Sequence, residues 1–264
     1  ELESQYELAY EDFLQACPWA MLYHSLTYRR FLQSYLPAAV EDHYLLAFKD
    51  GQLVGALPSF LIYGPLGPVL NSLPFFGSHG SILLRPGTDP TVGDALVAAM
   101  VDLCRQRCVI SATVIDAPFS NNEEVLKRVM NFQYRDQRIG QLTPLPENGC
   151  DDEVSERLLA LYHQKTRNIV RKAIRSKLVF GHDHSRQALD ALHTLHETNI
   201  LGVGGIAKPK HFFESIASQL QVDKDYRIYT ARTEDGEIVC ALMLLYFKDT
   251  VEYFVPATKE SWRS

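Results

Sequence analysis

Strand-like hydrophobic runs separated by turn signals stand out most clearly near the end of the chain. Two runs, Tyr226–Thr233 and Glu237–Phe247, flank the pair Asp235-Gly236, and a third run, Thr250–Val255, follows. Asp-Gly between such runs is a strong hairpin signal, because glycine adopts the positive φ that a tight turn needs. The uninterrupted apolar segment Ala241–Phe247 predicts a strand that is buried on both faces. The pattern therefore predicts a three-stranded meander within a sheet.

The same pattern occurs 185 residues earlier, where Tyr44–Phe48 and Gln52–Tyr63 flank Asp50-Gly51. Each hairpin follows an amphipathic aromatic helix, Tyr28–Leu36 in the first case and His211–Leu220 in the second. Superposing the two Asp-Gly pairs also aligns three apolar positions: Val54 with Val239, Ala56 with Ala241 and Leu57 with Leu242. We predict an internal duplication. The alternative is that two unrelated Asp-Gly hairpins look alike.

Periodicity and turn residues predict the remaining elements. In the first half the expected helices are 4–16, Tyr28–Tyr35 capped by Ser25 or Thr27, Thr91–Arg107 capped by Asp89, and Glu123–Asn131, and the expected strands are Val69–Leu73, Ser81–Leu84, Val109–Ile115 and Gln133–Leu142. In the second half they are helices Asp151–Leu161, Gln164–Leu178 (its continuation after a kink), Gln187–Ile200 and Pro209–Gln219, with strand Val179–His182. Pro144, Pro146 and Gly149 predict a boundary between two domains, 1–148 and 149–264.

Composition narrows the classes of protein that fit. The 264 residues carry a net charge of −6, so nothing in the overall charge indicates a DNA partner. Five cysteines, an odd number without framework spacing, favour a reducing cytoplasm over a disulfide scaffold. No apolar run approaches the ~18 residues of a membrane span, and the acidic start Glu1-Leu2-Glu3 is not typical of a signal peptide. The first residue is not Met, which indicates a trimmed or processed start. We expect a cytoplasmic protein.

Positive charge is concentrated in one segment, residues 165–177. Six cations lie there and no acid occurs between Glu156 and Asp183, so the rest of the chain carries −12. On a helix, Arg167, Arg171 and Arg175 form one stripe, and Val170 and Ile174 are expected to face the core beside it. Like charges at this spacing repel unless an anion offsets them. The stripe is therefore either a solvated face neutralised by the chain's own acids or a site for phosphates of a nucleotide-linked substrate or an RNA acceptor end.

Other short motifs are less specific. The segment 202–205, Gly-Val-Gly-Gly, lacks the Lys-Ser/Thr of a P-loop and predicts a mobile loop beside Lys208 and Lys210 that covers a ligand. Ser78-His79 lies between two glycines, but the order does not match G-x-S-x-G and no acid is placed to complete a triad. His79 is either a base or a hydrogen-bonded turn histidine.

No histidine spacing in the chain matches a zinc-protease motif. His182 and His184 flank an aspartate, and His193 and His196 share a helix face, but the order H-x-x-H-E is neither H-E-x-x-H nor H-x-x-E-H. We expect no metal site.

With these residues identified, the chain resembles the Fem-type aminoacyl/peptidyltransferases of the GNAT (N-acetyltransferase-like) superfamily. The segment Lys165–Ala173, KTRNIVRKA, is similar to the family's K-x-R-x-x-I/V-R-K-A helix. Pro74–Gly80 is similar to its aromatic-then-glycine strand entry, and Thr250–Thr258 to its strand with a Tyr before a small-residue turn. The resemblance implies an α/β (α+β) fold of two tandem GNAT-like units, with mixed central sheets flanked by helices. The second unit would be incomplete at its C-terminus, because the family continues into another helix and strands.

The resemblance also implies an activity. Members of the family transfer an amino acid or another acyl group to an amine, from aminoacyl-tRNA to a lipid- or nucleotide-linked muropeptide, in peptidoglycan and other cell-envelope pathways. Such direct attack on an ester or thioester needs no metal and no tightly bound cofactor. The donor would be aminoacyl-tRNA or acyl-CoA. In the first half, Arg85–Pro90 lacks the glycines of a CoA loop, and Asp89 places negative charge where pyrophosphate would sit.

Roles for individual residues follow from this hypothesis. Tyr253 and His79 are the expected catalytic donor and proton-relay groups. An anionic small molecule, a nucleotide- or lipid-linked substrate or a tRNA acceptor end would be held by Lys165, Arg167, Arg171, Lys172, Arg175, Lys208, Lys210, Phe76 and Ser78. Two alternatives stay open: a CoA-dependent N-acetyltransferase that uses only the second half, and a non-catalytic module that binds a glycan or partner through a decayed transferase fold.

Overall fold

The computed structural model describes residues 1–37, 40–72, 75–118, 120, 122–137, 139–146 and 150–263. The chain forms two compact units, each assembled from segments that are distant in sequence. The first unit contains Glu1–Arg135, Pro209–Arg227 and Leu244–Tyr253, and the second contains Asp136–Lys208, Ile228–Met243 and Phe254–Ser264. The expected boundary at Gly149 lies outside the described residues. The assignment of one GNAT-like fold to each sequence half, 1–148 and 149–264, stays a prediction.

Helices and strands are interspersed along the chain, as expected for an α/β (α+β) protein. The described helices are α1 (Glu7–Ala16), α2 (Leu26–Tyr35), α3 (Thr91–Gln106), α4 (Asn122–Val129), α5 (Asp151–Leu161), α6 (Gln164–Ile174), α7 (Arg186–Leu201) and α8 (Lys210–Gln219). The strands are β1 (Val40–Lys49), β2 (Gln52–Gly64), β3 (Gly67–Ser72), β4 (Leu83–Leu84), β5 (Ser111–Val114), β6 (Val179–His182), β7 (Tyr226–Arg232), β8 (Ile238–Phe247) and β9 (Thr250–Thr258). No helix in the described part of the chain is long and apolar enough to cross a membrane. The five cysteines are free.

The first sheet has the order β1-β2-β3-β5, and β4 pairs with β2 beside this path. All pairs are antiparallel except β3 with β5, which is parallel, so the sheet is mixed. Strand β2 is buried from Leu53 to Leu61. Successive side chains alternate between faces: Leu57 and Leu61 join the core cluster of α3 and α4, whereas Phe60 contacts the rings of Tyr44 and Phe75. A strand buried on both faces is therefore present in the first hairpin.

The two Asp-Gly hairpins form, but their turns differ. In the first, Asp50 (φ 50°) and Gly51 (φ 78°) make a two-residue turn between paired Lys49 and Gln52. In the second, Thr233 N–H donates to the Glu237 carbonyl at 2.9 Å, so three residues close the loop and Gly236 (φ 88°) is the last of them. When the two hairpins are aligned on their Asp-Gly pairs, the strands that follow glycine keep the same register. The strands that precede the turn are offset by one residue, because the second loop is one residue longer.

The second sheet has the order β6-β7-β8-β9. Burial in β8 alternates: Val239, Ala241 and Met243 are buried, and the side chains between them are half-buried. The expectation that Ala241–Phe247 is buried on both faces is therefore wrong, because only one face of β8 packs fully into a core. The aligned positions Val54 and Val239, like Ala56 and Ala241, are buried in both hairpins.

Three further expectations are corrected. Residues 133–137 and 139–142 form no strand; their apolar side chains are too sparse among charges to build a face, and Tyr134 and Ile139 are 81% and 93% exposed. The segment 151–178 is not one kinked helix, since Tyr162 is extended (φ −88°, ψ 149°) and separates α5 from α6. The strand expected at Ser81–Leu84 is reduced to β4, because Ser81 adopts a left-handed φ of 73°.

Lys248 connects the turn before β9 to the end of α1. It adopts a positive φ of 54°, and its ammonium donates to the carbonyl oxygens of Leu14 (3.3 Å), Gln15 (3.3 Å) and Cys17 (2.6 Å). These carbonyls lie at the C-terminal end of a helix, where the backbone leaves acceptors unpaired and a cation is favourable. This contact holds the start of β9 in the first unit.

His24 is a fully buried polar residue of the aromatic core in the first unit. Its Nδ1 accepts the backbone N–H of Met21 at 3.0 Å, and its Nε2 has no hydrogen-bond partner among the described residues. Burial, reinforced by nearby His79, lowers the pKa of His24 from 6.5 to about 3. The side chain is therefore neutral throughout the physiological range.

Lowering the pH should destabilise the protein through His24. His24 takes up a proton below about pH 6.5 in the unfolded chain, but only near pH 3 in the folded chain. The folded state is therefore fully stabilised by neutral His24 above pH 6.5 and loses that stability as the pH falls from 6.5 towards 3. Because of His24, the free energy of unfolding should be about 2 kcal/mol lower at about pH 5 than at about pH 7. His24→Asn, whose amide oxygen can replace Nδ1, should show that much less pH dependence in urea unfolding. The matched control is His163→Asn at an exposed position; equal slopes in wild type and His24→Asn would contradict the assignment.

Candidate active site

A backbone segment under strain, residues 75–81, carries three of the predicted site residues: Phe76, Ser78 and His79. Phe76 (φ 69°) and Ser81 (φ 73°) are both left-handed, which costs a residue with a Cβ about 1–3 kcal/mol. Between them, a Cβ added to Gly77 would lie 2.7 Å from Cγ of Tyr23, so only glycine lets the backbone approach this ring so closely. Strain of this kind is concentrated at functional sites.

The segment places Ser78 and His79 against the hydroxyl of Tyr23. Tyr23 Oη lies 2.9 Å from Ser78 Oγ and 3.0 Å from His79 Nδ1, and Ser78 Oγ lies 3.2 Å from the same Nδ1. His79 is buried, and its Nε2 also lies 3.3 Å from Tyr23 Oη, whereas Ser78 is exposed. The three side chains therefore form a polar network that runs from the surface into the first unit.

Glu252 of β9 lies close to Ser78, beside this network. Burial raises the pKa of its carboxyl above the ordinary 4.5, and a hydrogen bond with Ser78 acts in the opposite direction. Its Oε2 is buried and has no hydrogen-bond partner among the described residues. Its negative charge contributes to the raised pKa values of Tyr23 and Tyr28. A buried carboxyl with an unused oxygen beside hydroxyl groups is a candidate proton acceptor.

The neighbouring groups stay uncharged near neutrality. Burial lowers the pKa of His79 below 6.5, against the smaller opposing effects of the Trp19 carbonyl and Asp116. Burial likewise raises the pKa of Tyr23 far above 10. The site can therefore present a carboxyl group, a neutral imidazole and two hydroxyl donors, a set that suits proton transfer and stabilisation of a developing oxyanion.

Of the two expected catalytic residues, the structure brings one into the network. His79 lies in it, and its hydrogen bonds also fit the alternative of a bonded turn histidine. Tyr253 follows Glu252 in β9, but successive side chains of a strand point to opposite faces. Its ring is 67% exposed and is directed away from the Glu252 side. A catalytic role for either residue stays a prediction.

Phe76 belongs to an aromatic cluster beside the network. Its ring lies 4.6 Å from that of Phe212 and 5.8 Å from that of Tyr35, between centroids. Tyr35 in turn stacks on His211 at 5.0 Å. Phe76 and Tyr35 are half-buried, so the cluster offers a partly exposed apolar surface in the first unit.

The predicted basic stripe lies on α6 in the second unit. Arg171, Lys172 and Arg175, with Asn168 and Ser176, line a depression of about 560 Å³. Within the described residues, no carboxylate forms an ion pair with Arg171 or Arg175, so the chain's own acids leave these two charges unneutralised. Lys165 is exposed, and Arg167 donates to the Tyr162 carbonyl at 2.7 Å.

The expectation that the stripe's apolar neighbours face a core is only partly met. Val170 is half-buried, but Ile174 is 65% exposed, and α6 has no buried residue. The prediction for Ile174 is wrong. Helical periodicity gives the face on which a residue lies, but not whether another element covers that face.

Lys208 and Lys210 have different surroundings. Lys208 is half-buried in the second unit: its ammonium lies 5.7 Å from the Phe254 ring centroid, burial lowers its pKa, and its backbone N–H donates to His196 Nε2 at 3.1 Å. Lys210 is exposed at the start of α8 in the first unit. Burial lowers the pKa of His196 to about 4. Neutral His196 thus accepts a hydrogen bond from the Lys208 backbone through Nε2.

The start of α3, where a CoA loop would lie in the first half, is already capped. The Asp89 carboxylate accepts the Thr91 backbone N–H at 2.9 Å and its hydroxyl at 2.8 Å, and these bonds lower the pKa of Asp89. The negative charge at the helix N-terminus fits the expectation that this end does not hold a pyrophosphate.

Two residues of the network were not found from the sequence. The sequence offers no acid to complete a triad with Ser78 and His79, and it gave no reason to bring Glu252, from a strand far along the chain, close to Ser78. The available signal was an acid at an interior position of the apolar run VEYFV. Tyr23 offered no comparable signal, because a tyrosine among hydrophobic residues usually indicates core packing.

Comparisons with known proteins identify a family match in the second half of the chain and a similar fold over nearly all of it. Residues 162–264, fewer than half of the chain, match the family described as an acetyltransferase (GNAT) domain. A search of curated proteins found no match.

Among solved structures, FemX is similar over 97% of this chain and 80% of its own, with 12% identity and a TM-score of 0.72. Two further structures are less similar. A tandem GNAT protein from the clavulanic acid biosynthesis pathway has 12% identity and a TM-score of 0.47, over 99% of this chain and 78% of its own. A ribosomal-protein-alanine N-acetyltransferase from Brucella melitensis biovar Abortus 2308 has 14% identity and a TM-score of 0.38, over 53% of this chain and 96% of its own. At 12% identity, the likeness to FemX shows the fold alone. The fold is mixed α/β, with two sheets flanked by helices, consistent with two tandem GNAT-like folds, and the enzyme class that these findings support is an acyltransferase.

Proposed function

We propose that this protein transfers an activated acyl or aminoacyl group to an amine, and that Glu252 accepts the proton which the amine loses. The supporting observation is the half-buried Glu252 side chain, whose carboxyl pKa is raised and whose buried Oε2 lacks a hydrogen-bond partner among the described residues. A raised pKa makes a carboxylate a stronger base.

The reaction follows from this arrangement. The amine lone pair attacks the carbonyl carbon of the donor, the C–O or C–S bond to the leaving group breaks, and the amine proton passes to the Glu252 carboxylate. The leaving alkoxide or thiolate takes up that proton from Glu252, which restores the carboxylate. In this proposal the exposed Ser78 hydroxyl, which the buried Tyr23 hydroxyl contacts at 2.9 Å, donates a hydrogen bond to the oxyanion that develops at the carbonyl.

The cations of α6 give the second part of the proposal, an anionic substrate. Arg171 and Arg175 are unneutralised within the described residues and line an open depression, and paired guanidinium groups suit phosphate oxygens. Phosphates of a nucleotide- or lipid-linked acceptor, or of a tRNA acceptor end, have this chemistry. The resemblance of KTRNIVRKA to the Fem-type helix favours a cell-envelope or glycan-related acceptor.

A second candidate is a CoA-dependent N-acetyltransferase. The match of residues 162–264 to the acetyltransferase (GNAT) family favours it. Calorimetric titration with acetyl-CoA discriminates the two: micromolar binding would favour this candidate, and no binding would favour an aminoacyl-tRNA donor.

A direct assay tests the proposed activity. The protein is incubated with a panel of aminoacyl-tRNAs and acyl-CoAs together with amine-bearing muropeptide precursors and simpler amines, and new amides are detected by mass spectrometry. Amide formation that depends on the protein is expected for at least one donor. Absence of any amide product across the panel would contradict the proposal.

Glu252→Gln should lower kcat/KM by about 10²–10⁴, the usual contribution of a positioned base, and leave the fold intact because the amide is isosteric. The acidic limb of the wild-type pH profile should lie above pH 4.5, since the base must be unprotonated and its pKa is raised. Glu260→Gln, at an exposed position, is the matched control. Wild-type kcat/KM in Glu252→Gln would exclude Glu252 as the base.

Replacing Arg171 and Arg175 together by Ala should raise KM for the anionic substrate at least ~10-fold, because two charge-assisted contacts are lost. The salt dependence of binding should also become shallower. The control is Arg105→Ala with Arg186→Ala, which removes the same charge from arginines paired with acids on their own helices. If both double variants change KM equally, general electrostatics rather than a site on α6 explains the binding.

A further inference from the structure

Segment 161–180 of the second unit exposes large apolar side chains among its cations. In this segment, which the structure describes throughout, the apolar side chains that are more than half exposed are Leu161, Ile169, Ile174, Val179 and Phe180. Helix α6, which forms the middle of the segment, has no buried residue. Single apolar side chains on a surface are normal, but several within one short segment indicate a surface that a partner covers.

The two exposed isoleucines of α6 lie at the edges of its basic face. Ile169 is one turn before Lys172, and Ile174 is one turn after Arg171. Ala173, on the opposite side of the helix from the arginine stripe, is half-buried. The basic face therefore points to solvent with an isoleucine along each of its margins.

The charge of the segment is positive along its length. Its exposed cations are Lys165, Arg171, Lys172, Arg175 and Lys177. No acid occurs between Glu156 and Asp183, and the rest of the chain carries −12. An anionic surface would attract this segment and repel the remainder of the molecule, so the charge distribution selects both the kind of partner and the face that meets it.

We propose that segment 161–180 docks on the surface of an anionic lipid bilayer. The cations would lie at the level of the lipid phosphates, and the isoleucines would enter the outer part of the apolar layer, as basic amphipathic helices do. The inference deepens the proposed function, because it assigns the phosphates that Arg171 and Arg175 bind to lipid headgroups. It rests on that function only for its catalytic meaning.

The isoleucines favour a bilayer over other partners. RNA phosphates would match the cations, but proteins that bind single-stranded RNA place aromatic side chains beside their cations, and both side chains at the margins of α6 are aliphatic. A second copy of the chain would bring two cationic faces together, and like charges repel. A bilayer interface offers phosphates and an apolar layer side by side.

Sedimentation of the whole protein with lipid vesicles tests the inference. The probes are vesicles of phosphatidylcholine and vesicles of phosphatidylcholine mixed with phosphatidylglycerol, and neither donor nor acceptor is added. The protein should bind the anionic vesicles at least ~10-fold more tightly than the neutral ones, because several cations face the headgroups. Added salt should weaken this binding.

Ile169→Ser combined with Ile174→Ser removes apolar surface and keeps every cation. Affinity for anionic vesicles should fall at least ~10-fold, because two side chains no longer enter the apolar layer. Affinity for inorganic pyrophosphate should keep its wild-type value. The matched control is Leu8→Ser combined with Leu66→Ser, two exposed leucines of the first unit, which should leave vesicle binding unchanged.

Three results would overturn the inference: no binding to anionic vesicles, equal binding to neutral and anionic vesicles, or wild-type vesicle affinity in the isoleucine variant. Binding of tRNA without binding of vesicles would also overturn it and would assign the cations to RNA. Because sedimentation needs no reaction, its failure leaves the transfer assay standing. Failure of the transfer assay likewise leaves vesicle binding standing.

Discussion

The close approach of the Gly77 backbone to the Tyr23 ring is the constraint on which the candidate site depends. A side chain at position 77 would collide with the ring, and Phe76 before it and Ser81 after it adopt left-handed conformations. The segment is held from its far end as well: Gly80 N–H donates to the Ile115 carbonyl at 2.8 Å and Ser81 N–H to the Ser72 carbonyl at 3.1 Å. Ser78 and His79 have little freedom to turn away from the Tyr23 hydroxyl.

Burial gives this geometry its chemical meaning. In water, a glutamate, a histidine and a tyrosine would differ by several pKa units and would not interact. In the first unit, loss of solvent disfavours the charged form of each: the pKa of Glu252 rises, that of His79 falls and that of Tyr23 rises. The acid and the base therefore approach each other in proton affinity.

The basic helix in the second unit illustrates a different principle. Arg171 and Arg175 repel each other at one turn's spacing, and within the described residues no acid compensates them. A bound anion would remove this repulsion, so the unfavourable charge pattern favours occupancy. Lys208 differs, because it is half-buried beside Phe254 with its pKa lowered, and a lysine in such a position contributes less to attracting anions over distance.

The sequence by itself determined the elements that depend on neighbouring residues. The two Asp-Gly hairpins, the helix capped at Ser25, whose hydroxyl accepts from Tyr28 N–H, and the cationic face of α6 all follow from local periodicity and turn chemistry. Only the tertiary structure decided that Glu252 meets Ser78, that Tyr23 joins His79, and that Ile174 stays exposed while β2 is covered on both faces. The difference has one physical reason. Propensity and capping act over a few residues, whereas burial and hydrogen bonding between distant strands depend on which segments pack together, and the linear order of residues does not contain that information in readable form.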